Sequence, residues 1–209
     1  WGHRGIAKEV SAIFGRELKE LDTSMPEAGD AEGVQVSIED AACPRYMAVC
    51  VDGVRVEPSP QWLQMLLLAV GQRPLDLLVD ISNFVMLDLG QPNHLFDRAK
   101  VADGIKVRMA GAGETITTLD EEERKLCQED LLICSGDTPV ALAGVMGGEG
   151  SKVAPETTEL LLEVASFDAT TVRRTATRVG LRTDSSARFE KSLDPCMVPE
   201  AAGHLVRTL

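Results

Sequence analysis

The feature that most constrains the fold is a run of five short apolar segments in the second half of the chain. Turns rich in Gly, Asp and Glu separate them, so each is predicted to be a strand. In chain order they are GIKVRMA, ETITTLD, DLLICS, TPVALAG and TELLLEVASF, all within residues 104–167. Helices and strands come in blocks along the chain. This favours an α+β fold, with mixed or antiparallel sheets packed against helices, over a doubly wound parallel sheet.

A polar segment with Pro and Gly, residues 22–33, separates an N-terminal helical segment (1–21) from a core (34–209). Both ends of the chain fall within helical patterns. We therefore expect residues 1–209 to be one domain excised from a larger protein.

The core opens with two predicted strands, VQVSIED and RYMAVCVDGVRV, and the second contains Asp52-Gly53, which is typical of a hairpin turn. A helix is predicted over 59–71, with Ser59 as its cap, and another over 76–87. After the strands of the second half, a further helix is predicted over 168–179.

Composition narrows the functional class. Five cysteines, an odd number without a Cys-x-x-Cys pair, indicate reduced thiols in a cytosolic protein and argue against a disulfide frame or a zinc site. The longest apolar run, residues 62–70, is too short to span a bilayer, so we expect no membrane. The three histidines are scattered, and no metal site is expected.

The net charge of −12 opposes loose binding to a polyanion. The exception is the segment 173–191, which contains six basic and two acidic residues and so has a local net charge of +4. Such a segment is either a solvated helix face or a strip that contacts phosphates. The pattern alone leaves both open.

The stretch GQPNHLFD, residues 90–97, holds His94, the only histidine far from either chain end. The neighbouring Gly, Pro and Asn indicate a turn, which the apolar Leu95 and Phe96 anchor. Two interpretations compete: His94 packs at a helix exit, or it is a titratable group held over a substrate.

Glu163 interrupts an otherwise apolar predicted strand. Its carboxyl lies either on the solvent face of an edge strand or inside a pocket, hydrogen-bonded to a specific group. The nearby Thr183, Ser185 and Ser186 indicate, by themselves, only a turn with capping hydroxyls.

Two enzyme classes are disfavoured by their missing motifs. The loop AGVMGGEGSK, residues 143–152, lacks the Gly-Lys-Ser/Thr order of a nucleotide-binding loop, and its glutamate opposes phosphate. Its glycines favour a turn or a close approach of the backbone to a ligand. The chain also lacks the G-x-S-x-G motif of serine hydrolases.

Taken together, these stretches resemble the B3/B4 region of the phenylalanyl-tRNA synthetase beta subunit over nearly the whole chain. They are GIAKEVSAIFGREL, CPRYMAVCVDGV, SPQWLQMLLLAVGQRPLDLLVDISNFVMLDLGQPNHLFD, LAGVMGGEGSKV and TTELLLEVASFDATTVRRTATRVGLRTDSSARFEKSLDP. The resemblance implies the B3/B4 fold and an editing domain that hydrolyses tyrosine mis-esterified to the phenylalanine tRNA.

The resemblance also implies which residues form the editing site. His94 and Asn83 are expected near the ester as the catalytic residues. The expected substrate-binding residues are Glu163 at the tyrosine hydroxyl, with Gly147, Gly148, Thr183, Ser185, Arg73 and Ser82 around the pocket. Ser82 stands where many members carry Thr, and Ser185 where some carry Ala; both changes keep a small side chain.

For cofactors and partners, the resemblance implies a larger assembly. We expect no cofactor in this segment, whereas ATP and Mg²⁺ are implied for the whole synthetase. The expected partners are the 3′ end of the phenylalanine tRNA and a synthetase alpha subunit, in a heterotetramer of two alpha and two beta subunits. Two alternatives stay open: a non-catalytic tRNA-contacting or structural module, and a substrate-binding domain like that of tRNA-lysidine synthetases.

Overall fold

The computed structural model describes residues 2–29 and 33–209, and its helices and sheets confirm the α+β prediction. Within these residues the α-helices are α1 His3–Phe14, α2 Gln61–Ala69, α3 Leu77–Leu89, α4 Ala169–Arg178, α5 Asp184–Phe189 and α6 Met197–Thr208. The strands are β1 Val36–Ile38, β2 Arg45–Asp52, β3 Asn93–Asp97, β4 Ile105–Met109, β5 Thr115–Thr117, β6 Glu123–Lys125, β7 Leu131–Ser135, β8 Thr138–Leu142, β9 Met146–Gly147 and β10 Glu159–Ser166.

The strands form two main sheets and a small ribbon. The five-stranded sheet has the order β1-β4-β7-β8-β9; β1 runs parallel to β4, and the remaining pairs are antiparallel. The three-stranded sheet, β2-β10-β3, is antiparallel throughout, and β5 and β6 form the ribbon. The sheets are thus mixed and antiparallel, as the sequence predicts.

Strand β10 separates two hydrophobic cores. Leu160, Leu162 and Val164 pack in a core with α2, α3 and α6, whereas Leu161 and Ala165 belong to the core that includes the five-stranded sheet. Successive side chains of a strand point to opposite faces, so β10 is buried on both sides. Glu163 therefore shares the face of Leu161 and Ala165 and points toward the larger core.

Helix α3 ends where the chain must turn back toward the sheet. Asp76 caps its start and accepts hydrogen bonds from the backbone amides of Leu78 and Val79, at 3.0 and 3.1 Å. Gly90 closes its C-terminus with φ +80°, a left-handed conformation that glycine adopts without steric cost. This sharp turn lets β3 begin three residues later.

Three local predictions are wrong. His94 lies in strand β3 and not in a turn, because the turn is complete before Asn93. Asp52-Gly53 forms no hairpin, since β2 ends at Asp52 and pairs along its length with β10. Ser59 does not cap α2; its hydroxyl donates to Oδ2 of the buried Asp80 at 2.5 Å, and Pro60 occupies the cap position.

The N-terminal segment contributes α1, whose apolar side chains are largely exposed: Ile13 and Phe14 are 72% and 70% accessible. Of the predicted linker, residues 22–29 form neither helix nor strand, and residues 30–32 lie outside the described residues, as does Trp1. All five cysteines are free thiols. In the part of the chain that the structure describes, no helix has the length and apolar character needed to cross a membrane.

Candidate functional site

A cavity of about 430 Å³ lies between the two main sheets, and residues of α3 and α5 also line it. Its volume falls in the range of small-molecule sites. The structure brings seven of the nine predicted site residues into its wall: Ser82, Asn83, His94, Gly147, Glu163, Thr183 and Ser185. Gly148 and Arg73 are not among the lining residues.

His94 faces the cavity from β3. Its Nε2 atom is buried and has no hydrogen-bond partner among the described residues. Burial lowers the pKa of the imidazole from 6.5 to about 4, so the ring is neutral at physiological pH. The neutral ring therefore has a buried nitrogen whose hydrogen-bonding capacity is not used by any described residue.

The His94 ring depends on a glycine opposite it. A Cβ built on Gly147 would lie 2.6 Å from His94 Nε2, which is closer than van der Waals contact allows. Strand β9 therefore carries a glycine at this point because the imidazole occupies the space of a side chain. The sequence indicates only a close backbone approach in this loop, and the structure identifies the group that approaches.

We expect Gly147→Ala to displace the His94 ring and to lower the free energy of unfolding by about 1–3 kcal/mol, the usual cost of overpacking. Gly150→Ala is the matched control, because a Cβ there meets nothing within 4 Å. Urea unfolding of both variants measures the difference. Equal stability of the two variants would contradict this account of Gly147.

Glu163 lies in the central strand of its sheet, between β2 and β3, so the interpretation that places it on the solvent face of an edge strand is wrong. It is 6% exposed, and its Oε2 accepts a hydrogen bond from the hydroxyl of Tyr46 at 3.0 Å. Burial raises the pKa of its carboxyl from 4.5 to about 8, although the Tyr46 hydrogen bond lowers it. The carboxyl is therefore largely protonated near pH 7.

His94 and Glu163 form a cross-strand pair. They are direct partners in the antiparallel register of β3 and β10, a position at which side chains on one face lie within contact range. Both are neutral near pH 7. The cavity wall thus presents a hydrogen-bond acceptor and a carboxyl side by side without a buried net charge.

The raised pKa of Glu163 predicts a pH-dependent stability. The folded protein keeps a proton that the unfolded chain releases, so this contribution is fully present below pH 4.5 and is lost as the pH rises through about 8. We expect Glu163→Gln to match the wild type near pH 4.5. At pH 8.5 it should be more stable by about 3–5 kcal/mol, because 1.4 kcal/mol corresponds to each pKa unit.

Denaturant unfolding at the two pH values measures this difference. Glu159→Gln is the matched control, since Glu159 lies on the same strand with its side chain 54% exposed, and it should leave the pH dependence unchanged. A Glu163→Gln variant with the pH dependence of the wild type would show that the carboxyl is ionised in the fold.

The hydroxyls of Thr183 and Ser185 hold α5 over the cavity. Thr183 donates to the carbonyl of Val145 at 2.8 Å, and Ser185 donates to the carbonyl of Gly144 at 3.1 Å. Thr183 also forms a capping box with Ser186 at the start of the helix. These hydroxyls are thus already partnered, and they position the wall of the cavity.

The α3 side of the wall is more open to a ligand. Ser82 and Asn83 both line the cavity, and the side chain of Asn83 forms no hydrogen bond with any described residue. The carbonyl of Ser82 accepts a hydrogen bond from Asn93 at 3.1 Å, which ties α3 to β3. Asn83 therefore retains a free amide for a ligand beside a fixed segment of backbone.

Gly148 and Arg73 lie outside the cavity lining for different reasons. The amide of Gly148 donates to the carbonyl of Val140 at 2.7 Å, so it is not free to bind a ligand. Arg73 is exposed in the segment between α2 and α3. The adjacent Gln72 donates to Asp184, a lining residue of α5, at 3.0 Å, which places this segment near the cavity.

The glycine-rich loop does not fit a nucleotide phosphate. The amide of Gly148 is occupied, and Glu149 places a carboxylate in the loop, where it pairs with Lys152. Among the described residues no group of three His, Cys, Asp or Glu side chains lies close enough to hold a metal ion.

The basic segment 173–191 is partly neutralised by ion pairs. Four of its cations contact acidic side chains; they are Arg178 with Asp130, Arg182 and Lys191 with Glu190, and Arg188 with Asp184. Arg173 and Arg174 are exposed on α4, in no ion pair with a described residue. These four cations share three carboxylates, so the segment together with Asp130 keeps a net charge of +3, and Arg173 and Arg174 are its cations without an ion pair to a described residue.

Tyr46, the one tyrosine of the chain, is the site residue that the sequence analysis misses. It is far from Glu163 in sequence, and only the pairing of β2 with β10 brings the two together. The signal that could have found it is the alternation of β2, which puts Tyr46 and Ala48 on one face. Without the register, that alternation does not identify the partner.

A family comparison matches most of the chain. The B3/4 domain model matches residues 42–209. Two curated relatives, the phenylalanine–tRNA ligase beta subunits of Syntrophotalea carbinolica and Salinibacter ruber, are each 47% identical to this chain, over 94% and 92% of it. The chain spans about a quarter of the length of these relatives, 25% and 24%.

One solved structure also aligns with the chain. It is the crystal structure of an N-terminal fragment of the phenylalanyl-tRNA synthetase beta subunit from Pyrococcus horikoshii. The alignment covers 85% of this chain and 57% of that fragment, with 16% identity and a TM-score of 0.49.

Proposed function

The chain belongs to the B3/4 domain family, and from that premise we propose that it is the editing domain of a phenylalanine–tRNA ligase beta subunit. In this proposal the domain hydrolyses tyrosine that has been mis-esterified to the phenylalanine tRNA. The names of its relatives support the parent enzyme. The observation that carries the editing function is the cross-strand pair of His94 and Glu163, with the unpartnered Nε2 of His94 buried in one cavity wall.

A separate editing site has a clear physical purpose. A synthetic site shaped for phenylalanine rejects tyrosine only about 10²-fold, because it must exclude a single added hydroxyl. A site that hydrogen-bonds the hydroxyl discriminates better, because an analogue without it leaves a buried polar group unpaired. Glu163 offers that group: its Oε2 is bonded to Tyr46, and its Oε1 makes no hydrogen bond among the described residues.

The protonation of Glu163 refines this proposal. A largely neutral carboxyl can donate a hydrogen bond to the phenolic oxygen, and an ionised carboxylate can accept one from the phenol. Tyrosine therefore finds a partner in either form, whereas phenylalanine finds none. The neutral form also removes the need for a countercharge beside this buried carboxyl.

The chemistry needs a positioned water molecule and a donor for the developing oxyanion, because an aminoacyl ester is already activated. In this proposal Nε2 of His94 accepts a hydrogen bond from the water and orients it toward the carbonyl. Because burial lowers the pKa of the imidazole to about 4, the ring is neutral at physiological pH and Nε2 can act as this acceptor. The free amide of Asn83 is the donor that faces the oxyanion.

The remaining features are proposed for the whole ligase. The 3′ end of the phenylalanine tRNA enters the cavity, the alpha subunit completes a heterotetramer of two alpha and two beta subunits, and ATP with Mg²⁺ serves aminoacylation elsewhere in the cytoplasmic enzyme. Residues 1–209 are one domain of that subunit, with 34–209 as its core. The net charge of −12 and the small basic segment 173–191, where four of six cations already pair with acidic side chains, support delivery of the tRNA by other parts of the enzyme.

A misacylation assay tests the proposed function. The complete ligase is incubated with tyrosine, ATP and the phenylalanine tRNA, and tyrosyl-tRNA is measured over time. We expect the wild type to accumulate little of it and an Asn83→Ala, His94→Ala double variant to accumulate it steadily. Equal accumulation by both enzymes would favour the alternative, a non-catalytic tRNA-contacting or structural module.

A further inference from the structure

Three side chains form a row across one face of the three-stranded sheet. Glu163 on β10 stands opposite His94 on β3, and on the other side its diagonal neighbour is Tyr46 on β2. Tyr46 pairs with Ala165, which shares the face of Glu163, so the phenol and the carboxyl lie on the same side of the sheet. Of these three residues, His94 and Glu163 line the cavity and Tyr46 lies behind the carboxyl.

The two oxygens of the Glu163 carboxyl have different surroundings. Oε2 accepts the Tyr46 hydroxyl at 3.0 Å, and Oε1 has no hydrogen-bond partner among the described residues. Tyr46 therefore fixes Oε2 from outside the cavity wall. Oε1 can form a hydrogen bond only with a group that enters the cavity. Without this hydrogen bond the carboxyl group would rotate about χ3, because that torsion has a broad energy minimum.

The surrounding groups do not replace Tyr46 in this role. Cys43 is buried near the carboxyl, but its thiol donates to the carbonyl of Arg45, and burial raises its pKa to about 12. His94 forms no hydrogen bond with Glu163. The pKa of Tyr46 is raised well above 10 by burial and by the neighbouring carboxyl, so its phenol keeps its proton and remains a donor.

We propose that Tyr46 is a positioning residue for specificity. Its hydroxyl fixes the Glu163 carboxyl so that only Oε1 forms a hydrogen bond with the hydroxyl of an aromatic aminoacyl group. The specificity element is then the Tyr46–Glu163 pair and not the glutamate by itself. This inference rests on the proposed function, because it assigns the cavity a phenolic aminoacyl ester. It goes further by predicting that loss of a group outside the cavity wall alters substrate choice.

Tyr46→Phe in the complete ligase tests the inference, since it removes the hydroxyl and keeps the ring. We expect KM for hydrolysis of tyrosyl-tRNA to rise about tenfold, the effect of losing one hydrogen bond to a carboxyl, with kcat within about twofold. Hydrolysis of phenylalanyl-tRNA should not change. Thr175→Val is the matched control, because it removes a buried hydroxyl bonded to Asp130 at 2.8 Å, outside the cavity.

A double-mutant cycle separates positioning from a general structural role. If Tyr46 acts through Glu163, Tyr46→Phe changes the tyrosyl-to-phenylalanyl ratio in the wild type and adds nothing in a Glu163→Ala background, which has no side chain for Tyr46 to position. An unchanged ratio in Tyr46→Phe, or effects that add fully, would overturn the inference. A wild-type enzyme that hydrolyses neither ester would instead refute the proposed function, and the inference with it.

A second variant keeps the test decisive if Tyr46→Phe does not fold. Glu163→Asp retains the carboxyl but withdraws it by one methylene from the Tyr46 hydroxyl. We expect the same rise in KM for tyrosyl-tRNA, with phenylalanyl-tRNA hydrolysis unaffected. Retention of full discrimination by Glu163→Asp would show that a fixed carboxyl position is unnecessary.

Discussion

Replacement of His94 by alanine is expected to slow hydrolysis of tyrosyl-tRNA by the complete ligase about 10- to 10³-fold, the span typical of losing a positioned hydrogen-bonding or acid–base group. The reason is that Nε2 is the buried imidazole nitrogen in the cavity without a partner among the described residues. The loss should fall on kcat, with KM little affected, because the proposed contact is with the attacking water. Single-turnover deacylation of preformed tyrosyl-tRNA measures it.

His204→Ala is the matched control for this variant. His204 is also buried, at 8% exposure, but it lies on α6, outside the cavity lining, where its Nε2 is 3.2 Å from Asp88. This substitution should lower stability without a specific loss of hydrolysis. If His94→Ala deacylated tyrosyl-tRNA at the wild-type rate, His94 would be a packing residue of β3.

Replacement of Glu163 by alanine is expected to lower the preference for tyrosyl- over phenylalanyl-tRNA about 10- to 100-fold. In the proposed site its carboxyl pairs with the substrate hydroxyl, and an unpaired buried polar group costs about 1–3 kcal/mol. Hydrolysis of phenylalanyl-tRNA, which we expect to be slow in the wild type, should change little or rise, because the variant has no carboxyl that phenylalanine would leave without a partner. The ratio of kcat/KM for the two esters measures the change.

Glu159→Ala is a suitable control for the Glu163 variant. Glu159 lies on the same strand, but its side chain is 54% exposed and absent from the cavity lining, so its loss should leave the preference intact. If Glu163→Ala lowered kcat/KM for both esters by the same factor, Glu163 would have no role in recognising the tyrosine hydroxyl.

Local patterns predict most of the fold correctly. The blocks of strands and helices give the α+β class, and the helices predicted to start at residues 76 and 168 begin one residue later, where Asp76 and Asp168 accept amide hydrogen bonds. The cap that the sequence predicts at Ser59 is wrong. These features depend on neighbours in the sequence. The apolar run around Glu163 likewise predicts a strand, and the structure places it at 159–166.

What the sequence does not predict depends on pairings between distant residues. Whether Glu163 faces solvent or a cavity is decided by β2 and β3, which flank β10 and come from elsewhere in the chain. The contact of Gly147 with the His94 ring, and of Tyr46 with Glu163, depends on those pairings as well. The hairpin predicted at Asp52-Gly53 is wrong for the same reason, because β2 pairs with the distant β10 and not with the segment that follows it.

The most direct test of the account is the hydrolysis of preformed tyrosyl- and phenylalanyl-tRNA, both on the phenylalanine tRNA, by the complete wild-type ligase under identical conditions. The account predicts that tyrosyl-tRNA is hydrolysed at least about tenfold faster, because the cavity pairs its hydroxyl with the Glu163 carboxyl. Equal rates for the two esters, or no hydrolysis above the spontaneous rate, would contradict it.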